Sequence, residues 1–206
     1  MSHLRQTKRL YHNLGYVTVF MYFRFCHAPY NLVETLVPKK GKIIDLGSGY
    51  GFFSNMLGLA SPDREVIGVE LNERKSQYAD RNVKNVKFIN IDITKLKLDT
   101  ADCIILFHVL HHLDSFAQQH RLLKECFNKL RSGGRLIVVE IDYKPLWKFL
   151  FTLLIDSSLY IGDTFYYRSR SQFEDLFKKV GFDIESIMAA HRFVLLSHII
   201  YICKKP

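Results

Sequence analysis

Acidic residues stand at the ends of successive apolar runs in this chain. The first, Asp45 in "KIIDLGSGYGFF" (42–53), is followed at once by Gly47, Gly49 and Gly51. Glu70 closes "VIGVE", Asp92 closes "FINID", and Glu140 with Asp142 closes "LIVVEID", while His108 ends "CIILFH". Short apolar runs bounded by turn residues read as buried strands, and parallel strands bring their carboxyl ends to one crevice. Five acids there repel a pyrophosphate and attract a cation. The glycines agree, because "GSGYGF" is GxGxG, not the GxGxxG of dinucleotide sites, and the chain has no GxxxxGK[ST].

A nucleoside with an ammonium and a sulfonium but no phosphate suits this array, and S-adenosylmethionine (SAM) is such a molecule. Asp45 can attract the ammonium. Bare backbone at Gly47, Gly49 and Gly51 lets the methionyl and ribose parts come close. Glu70, at the second strand end, can accept from both ribose hydroxyls. Asp92 can accept from the adenine amino group, with Ile93 as an apolar flank and backbone donor. Glu70 and Asp92 have competing structural uses, as a first-turn helix acid and as a turn cap.

The elements that must position these residues alternate along the chain. After "KIIDLG" comes a helix-like "FFSNMLGLA", then strand "EVIGVEL", helix "NERKSQYADRNV" with Asn72 as N-cap, strand "VKFINIDI" and strand "DCIILFHVL". The amphipathic "SFAQQHRLLKECFNKLR" opens on Ser115 and Gln118 in capping-box spacing, and strand "RLIVVEID" follows. "SRSQFEDLFKKVGF" gives a last helix with Ser171 and Glu174 as its box and Gly181 as its stop. "DIESIMAAH" and "HIIYICKK" give two final strands. The expected fold class is α/β, a doubly wound and mostly parallel sheet. It forms a single domain: a helical cap over 1–40, a cofactor-binding core over 41–142, an apolar lid insertion over 143–168, and a last helix with two strands over 169–206.

"IIDLGSGYG", "VIGVELN", "FINIDI", "DCIILFHVLHHL" and "LRSGGRLIVVE", in this order, resemble the successive motifs of class I SAM-dependent methyltransferases. The resemblance covers about residues 41–142, and more weakly the C-terminal segment. It implies seven strands, the last inserted as a hairpin antiparallel to the rest. It also implies SAM as cofactor and S-adenosylhomocysteine (SAH) as product. The carry-over assigns cofactor contacts to Asp45, Gly47, Gly49, Glu70 and Asp92, and Ser48, Gly51, Leu71, Ile93 and His108 complete the candidate cofactor set. Ser48 stands where Cys or Ser is usual, and Glu70 replaces the commoner Asp.

For catalysis, His108 at the fourth strand end is a candidate base or positioning group, with Tyr166 and Tyr167 as further candidates. His111 and His112 recur in family members with unrelated substrates and read as mostly structural, and no metal site is expected. "FHVL" stands where amide and base N-methylases carry [DN]PP[YF], and no Pro-Cys follows the strand. A hydrophobic small-molecule or lipid-like acceptor remains. The two segments outside the alternation, 1–40 and 143–168, are rich in aromatics, so Tyr11, Tyr16, His112, Glu140 and Trp147 are taken as candidate acceptor-binding residues, with Tyr22 nearby.

Net charge is +9, unevenly placed: the first 42 residues carry seven Lys/Arg against one acid, while residues 43–142 balance thirteen against thirteen. Basic flanks beside apolar stretches suggest contact with anionic lipid. The same charge supports an alternative RNA or protein methyltransferase, although nucleic acid is the less expected partner. A non-catalytic SAM-binding module is the other alternative, and a homodimer is compatible with the aromatic segments. Four scattered cysteines without CxxC spacing suit a reducing compartment, and no secretory signal or spanning stretch is visible. A cytoplasmic protein with peripheral membrane contact is expected.

Overall fold

A computed structural model describes residues 3–93, 100–159, 162–190 and 195–206. His191, at the end of the "DIESIMAAH" strand, and Tyr160 and Ile161, within the lid insertion, lie outside these residues.

Three helices come first: α1 (His3–Leu10), α2 (Tyr16–His27) and α3 (Tyr30–Leu36). The alternating part follows as β1 (Gly41–Leu46), α4 (Phe52–Ala60), β2 (Arg64–Glu70), α5 (Glu73–Gln77), β3 (Val86–Asn90), β4 (Ala101–Phe107), α6 (Phe116–Lys129) and β5 (Leu130–Ile141). Then come α7 (Leu146–Leu159), α8 (Arg170–Val180), β6 (Asp183–Ala189) and β7 (His198–Lys204). The seven strands form one sheet in the order β3-β2-β1-β4-β5-β7-β6. β1 to β5 are parallel, and β7 runs antiparallel between β5 and β6.

The apolar continuity of β4 follows from its place. It lies beside β1 at the sheet centre with both faces covered, so Cys103 to Leu106 are all buried. One face packs Ile104 and Leu106 with Leu122, Leu123 and Cys126 of α6 and Phe173 and Phe177 of α8. The other packs Ile43, Cys103 and Ile105 with Val33, Phe53, Met56 and Leu57 of α3 and α4. A third cluster seats Tyr11, Val17 and Met21 on Phe52, fixing the N-terminal cap over the start of α4.

Arg64 locks that cap to the sheet. Fully buried at the start of β2, it forms an ion pair with Glu34 of α3 at 2.9 Å and donates to the carbonyls of Val37, Pro38 and Leu57. Burial raises the Glu34 carboxyl, but bonds from Lys39 and Arg64 outweigh it and hold the group below its ordinary range.

Three local expectations are corrected. α5 spans only five residues, because Tyr78 turns to the aromatic rings of Tyr16 and Tyr50 and the Asp80 side chain accepts from Asn82 N in an Asx turn. The capping box of α8 is Ser169 with Gln172, two residues ahead of the Ser171 and Glu174 pair. Ser115 caps α6 through Gln118 N, but the Gln118 side chain returns to Asp114 rather than closing a box. Among the described residues no helix is long and apolar enough to cross a membrane.

Candidate active site

A cavity of about 500 Å³ opens at the carboxyl ends of β1 to β5, within the size range of small-molecule sites. Its floor on the β3-β2-β1 side carries Asp45, Gly47, Ser48, Gly49, Glu70, Leu71, Asp92 and Ile93. Eight of the sequence-derived cofactor residues therefore meet there, brought together by parallel strands that end in register.

Asp45 is 1% exposed and accepts from Ser54 Oγ at 2.5 Å. Burial, helped by the nearby Glu70, outweighs the Ser54 hydrogen bond and pushes its carboxyl up to about 6. Glu70 holds the glycine loop: one oxygen accepts from Gly49 N at 2.7 Å and the other from Asn72 N at 2.8 Å. Gly47 has φ +76, and a Cβ there would lie 2.6 Å from Val109. A Cβ on Gly49 would meet nothing within 4 Å, so its bare face looks onto open cavity where a ligand can lie against the backbone. Gly51 does not line the cavity. Its missing Cβ makes room for the Phe88 ring at the start of α4.

His108 also lines the cavity, in an unusual backbone conformation of φ +56. Its Nδ1 lies 3.1 Å from Arg24 Nη1. A guanidinium only donates, so Nδ1 accepts and the ring proton belongs on Nε2. Burial first, then the Arg24 charge, hold this imidazole well below its ordinary range. The ring stacks on His198 at 4.8 Å, and Nε2 is buried without a partner. His108 is thus suited to donate a hydrogen bond and ill suited to take a proton. His112 lines the cavity too, with burial as the main cause pushing its imidazole down to about 2.

The β5 side of the cavity is built from residues the sequence did not single out as site residues. α2 contributes Phe20, Phe23 and Arg24, and α7 contributes Thr152, Ile155 and Asp156. The only available signals were a lone arginine in "VTVFMYFRF" and a lone acid closing "LWKFLFTLLID". Asp156 Oδ2 accepts from Tyr167 Oη at 2.6 Å and lies 3.8 Å from His111 Nε2. Across the same imidazole, His111 Nδ1 is 2.5 Å from Glu140 Oε2. Burial lowers His111, but Glu140 and Asp156 outweigh it and raise its proton affinity above the ordinary value. Burial raises Asp156.

Several expected site residues sit elsewhere. Glu140 does not reach the cavity: its other oxygen accepts from Val109 N and Leu110 N, so it shapes the turn after β4. Tyr11 is fully buried, donating to Tyr50 O and accepting from Asn55. Tyr16 is 60% exposed, with its ring edge-on to Tyr50 and Tyr78, and Trp147 is 59% exposed on the outer side of α7. Tyr166 packs on Phe116, and its backbone N–H donates to His111 O. Tyr167 reaches the site only through Asp156 and a parallel stack on His111.

Residues 21–187 match the model of the methyltransferase domain family. The chain belongs to that family. Among curated proteins it is similar to demethylmenaquinone methyltransferase of Thermotoga maritima, 28% identical over 102 residues (48% of this chain, 43% of that one). It is likewise similar to ubiquinone/menaquinone biosynthesis C-methyltransferase UbiE of Pasteurella multocida, 31% identical over 119 residues (53% of this chain, 43% of that one). The chain thus spans less than half the length of these relatives. Among solved structures, the calicheamicin biosynthesis methyltransferase CalO1 in its SAH-bound form superposes with a TM-score of 0.70. It is 16% identical, covering 93% of this chain and 56% of that one, a likeness of fold.

Proposed function

We propose that the protein transfers the methyl group of SAM to a hydrophobic small-molecule or lipid-like acceptor. The observation that carries this reading is one continuous cavity with two different ends. The β3-β2-β1 end offers carboxylates and bare backbone, and the β5 end offers aromatic and aliphatic side chains of α2 and α7. Asp45, Gly47, Gly49, Glu70 and Asp92 would hold the cofactor, with Leu71 and Ile93 flanking the base. The bound cofactor supplies a methyl group on a sulfonium, and the protein's contribution is to align the acceptor with it and exclude water.

The helices that line the acceptor end turn apolar side chains outward as well. Leu146, Leu150 and Leu154 recur every fourth residue on α7 beside Trp147, and Tyr16, Val19 and Tyr22 are exposed on α2. Arg5, Lys8 and Arg9 of α1 and Lys144 ahead of α7 add positive charge. An amphipathic face of this kind supports docking to an anionic membrane that presents the acceptor. Trp147 is the only tryptophan in the sequence, so its fluorescence reports the contact directly. Calorimetry should show heat with SAH and none with NAD. Trp147 emission should shift to the blue with phosphatidylglycerol vesicles and stay put with phosphatidylcholine. Heat only from NAD would sink the cofactor reading, and unchanged emission with both vesicles would sink the membrane reading.

A further inference from the structure

The acceptor end of the cavity holds a charged chain that cofactor binding leaves unexplained. Glu140 receives two backbone N–H groups and His111 Nδ1. His111 turns its other nitrogen toward Asp156, and Tyr167 donates to the same Asp156 oxygen while stacking on the imidazole at 5.1 Å. Only the far members of this chain, Glu140 and Tyr167, lie outside the cavity wall, whereas His111 and Asp156 are part of it. Burying carboxylates and an imidazole is costly unless they pair. Here His111 bonds Glu140 at 2.5 Å and stands 3.8 Å from Asp156, which bonds Tyr167 at 2.6 Å and lines the cavity together with Phe20, Phe23 and Arg24.

We propose that Asp156 is the catalytic base, that His111 and Glu140 are positioning residues behind it, and that the acceptor carries a phenol-like or enolic hydroxyl on an apolar skeleton. The inference rests on the methyltransferase reading above and narrows its acceptor class. Three features of the cavity select this chemistry. Asp156 offers a proton acceptor where His108 does not, since Arg24 occupies the accepting nitrogen of that ring. Arg24 faces the same space and stabilises negative charge on an oxygen, and it repels an alkylammonium acceptor. Aromatic walls accept a flat ring. The charges that act on Asp156 are His111 and Glu140 from the β4 and β5 ends, Arg24 from α2 and the Tyr167 hydroxyl. Burial, with Glu140 on its side, outweighs Tyr167, His111 and Arg24 and raises its carboxyl above the ordinary value.

In the reaction the acceptor oxygen forms the new bond to the methyl carbon, and the carbon–sulfur pair leaves with sulfur, which becomes a neutral thioether. The hydroxyl proton ends on Asp156. The carboxylic acid so formed stays hydrogen-bonded to Tyr167 and gives the proton to solvent when the product leaves.

The test uses the full chain, 4-pentylphenol and 4-nitrophenol. D156N should slow methylation of 4-pentylphenol by about 100-fold, the usual range for a lost base. It should leave 4-nitrophenol, already ionised at mildly alkaline pH, within about threefold, because no proton then needs removing. With SAH bound, the absorbance midpoint for ionisation of bound 4-nitrophenol should fall by about one unit in D156N, since a neighbouring negative charge is gone. In Y167F the lost hydrogen bond should move the acid limb of the rate profile to higher pH. Equal slowing of both phenols with an unmoved midpoint overturns the proposal, as does an unshifted Y167F profile if D156N fails to fold. SAH binding with neither phenol bound nor methylated overturns the acceptor class and leaves the cofactor reading standing. Failure of SAH itself to bind overturns both.

Discussion

Asp45 provides a quantitative test of how the cofactor is held. Its carboxyl is buried beside Glu70 and raised to about 6, so the free protein keeps this site partly neutral in mildly acidic solution. A carboxyl with a raised folded value stabilises the fold below its ordinary range, and that contribution is lost as pH rises through about 6. An ammonium placed beside it favours the ionised form and reverses the cost. Below about pH 6, SAH must therefore drive off a proton before it binds, and the apparent affinity falls by the ionised fraction. At about pH 5 that fraction is roughly one in eleven, which weakens binding about tenfold relative to about pH 7.5, or about 1.4 kcal/mol. Calorimetry across this range, in two buffers of different ionisation enthalpy, reads both the affinity and the proton released. D45N should bind weakly at every pH, with a flat profile. A wild-type affinity that changes less than about twofold, or a D45N profile that keeps the slope, would refute the argument that the buried carboxylate meets the ammonium.

Other expected outcomes follow from the glycine loop and from the cap. G47A forces a Cβ against Val109 in a left-handed backbone and should cost about 1–3 kcal/mol in stability as well as SAH affinity. G49A carries the backbone strain without a clash, so scanning fluorimetry should show a smaller loss of Tm while SAH affinity still falls; equal Tm losses would contradict the open face assigned to Gly49. R64M takes from Glu34 its buried partner, leaving only Lys39, and takes the donor from the carbonyls of Val37, Pro38 and Leu57, so urea denaturation should report a loss of about 3–5 kcal/mol. Because Glu34 is held below its ordinary range, the stability it contributes is present above that range and lost as pH falls through the folded value. R64M should flatten this acid limb, and an unchanged limb would show that Lys39 alone holds the carboxylate.

The sheet and the cofactor end of the cavity were legible because their determinants are local. The parallel strands announced themselves as apolar runs, and Asp45, Glu70 and Asp92 stood at their ends, so parallel alignment alone sufficed to gather these three acids. The inserted antiparallel strand came from the family resemblance instead. Local competition misplaced smaller features. Two Ser-x-x-Glu/Gln pairs overlap at the start of α8, and only the packing of Phe173 and Phe177 onto the sheet decides which one caps it.

Determined by the sequence alone were the fold class and the gathering of acids and glycines in one crevice, since period, turn chemistry and charge act over a few residues. Tertiary structure alone decided the acceptor end. Tyr11 and Trp147 looked alike as aromatic lid residues, yet one is sealed under the cap and the other faces outward. Asp156, Arg24, His111 and Glu140 lie on separate elements across more than a hundred residues. Their charges interact only because α2 and α7 fold over the ends of β4 and β5, and burial there decides which group keeps its proton.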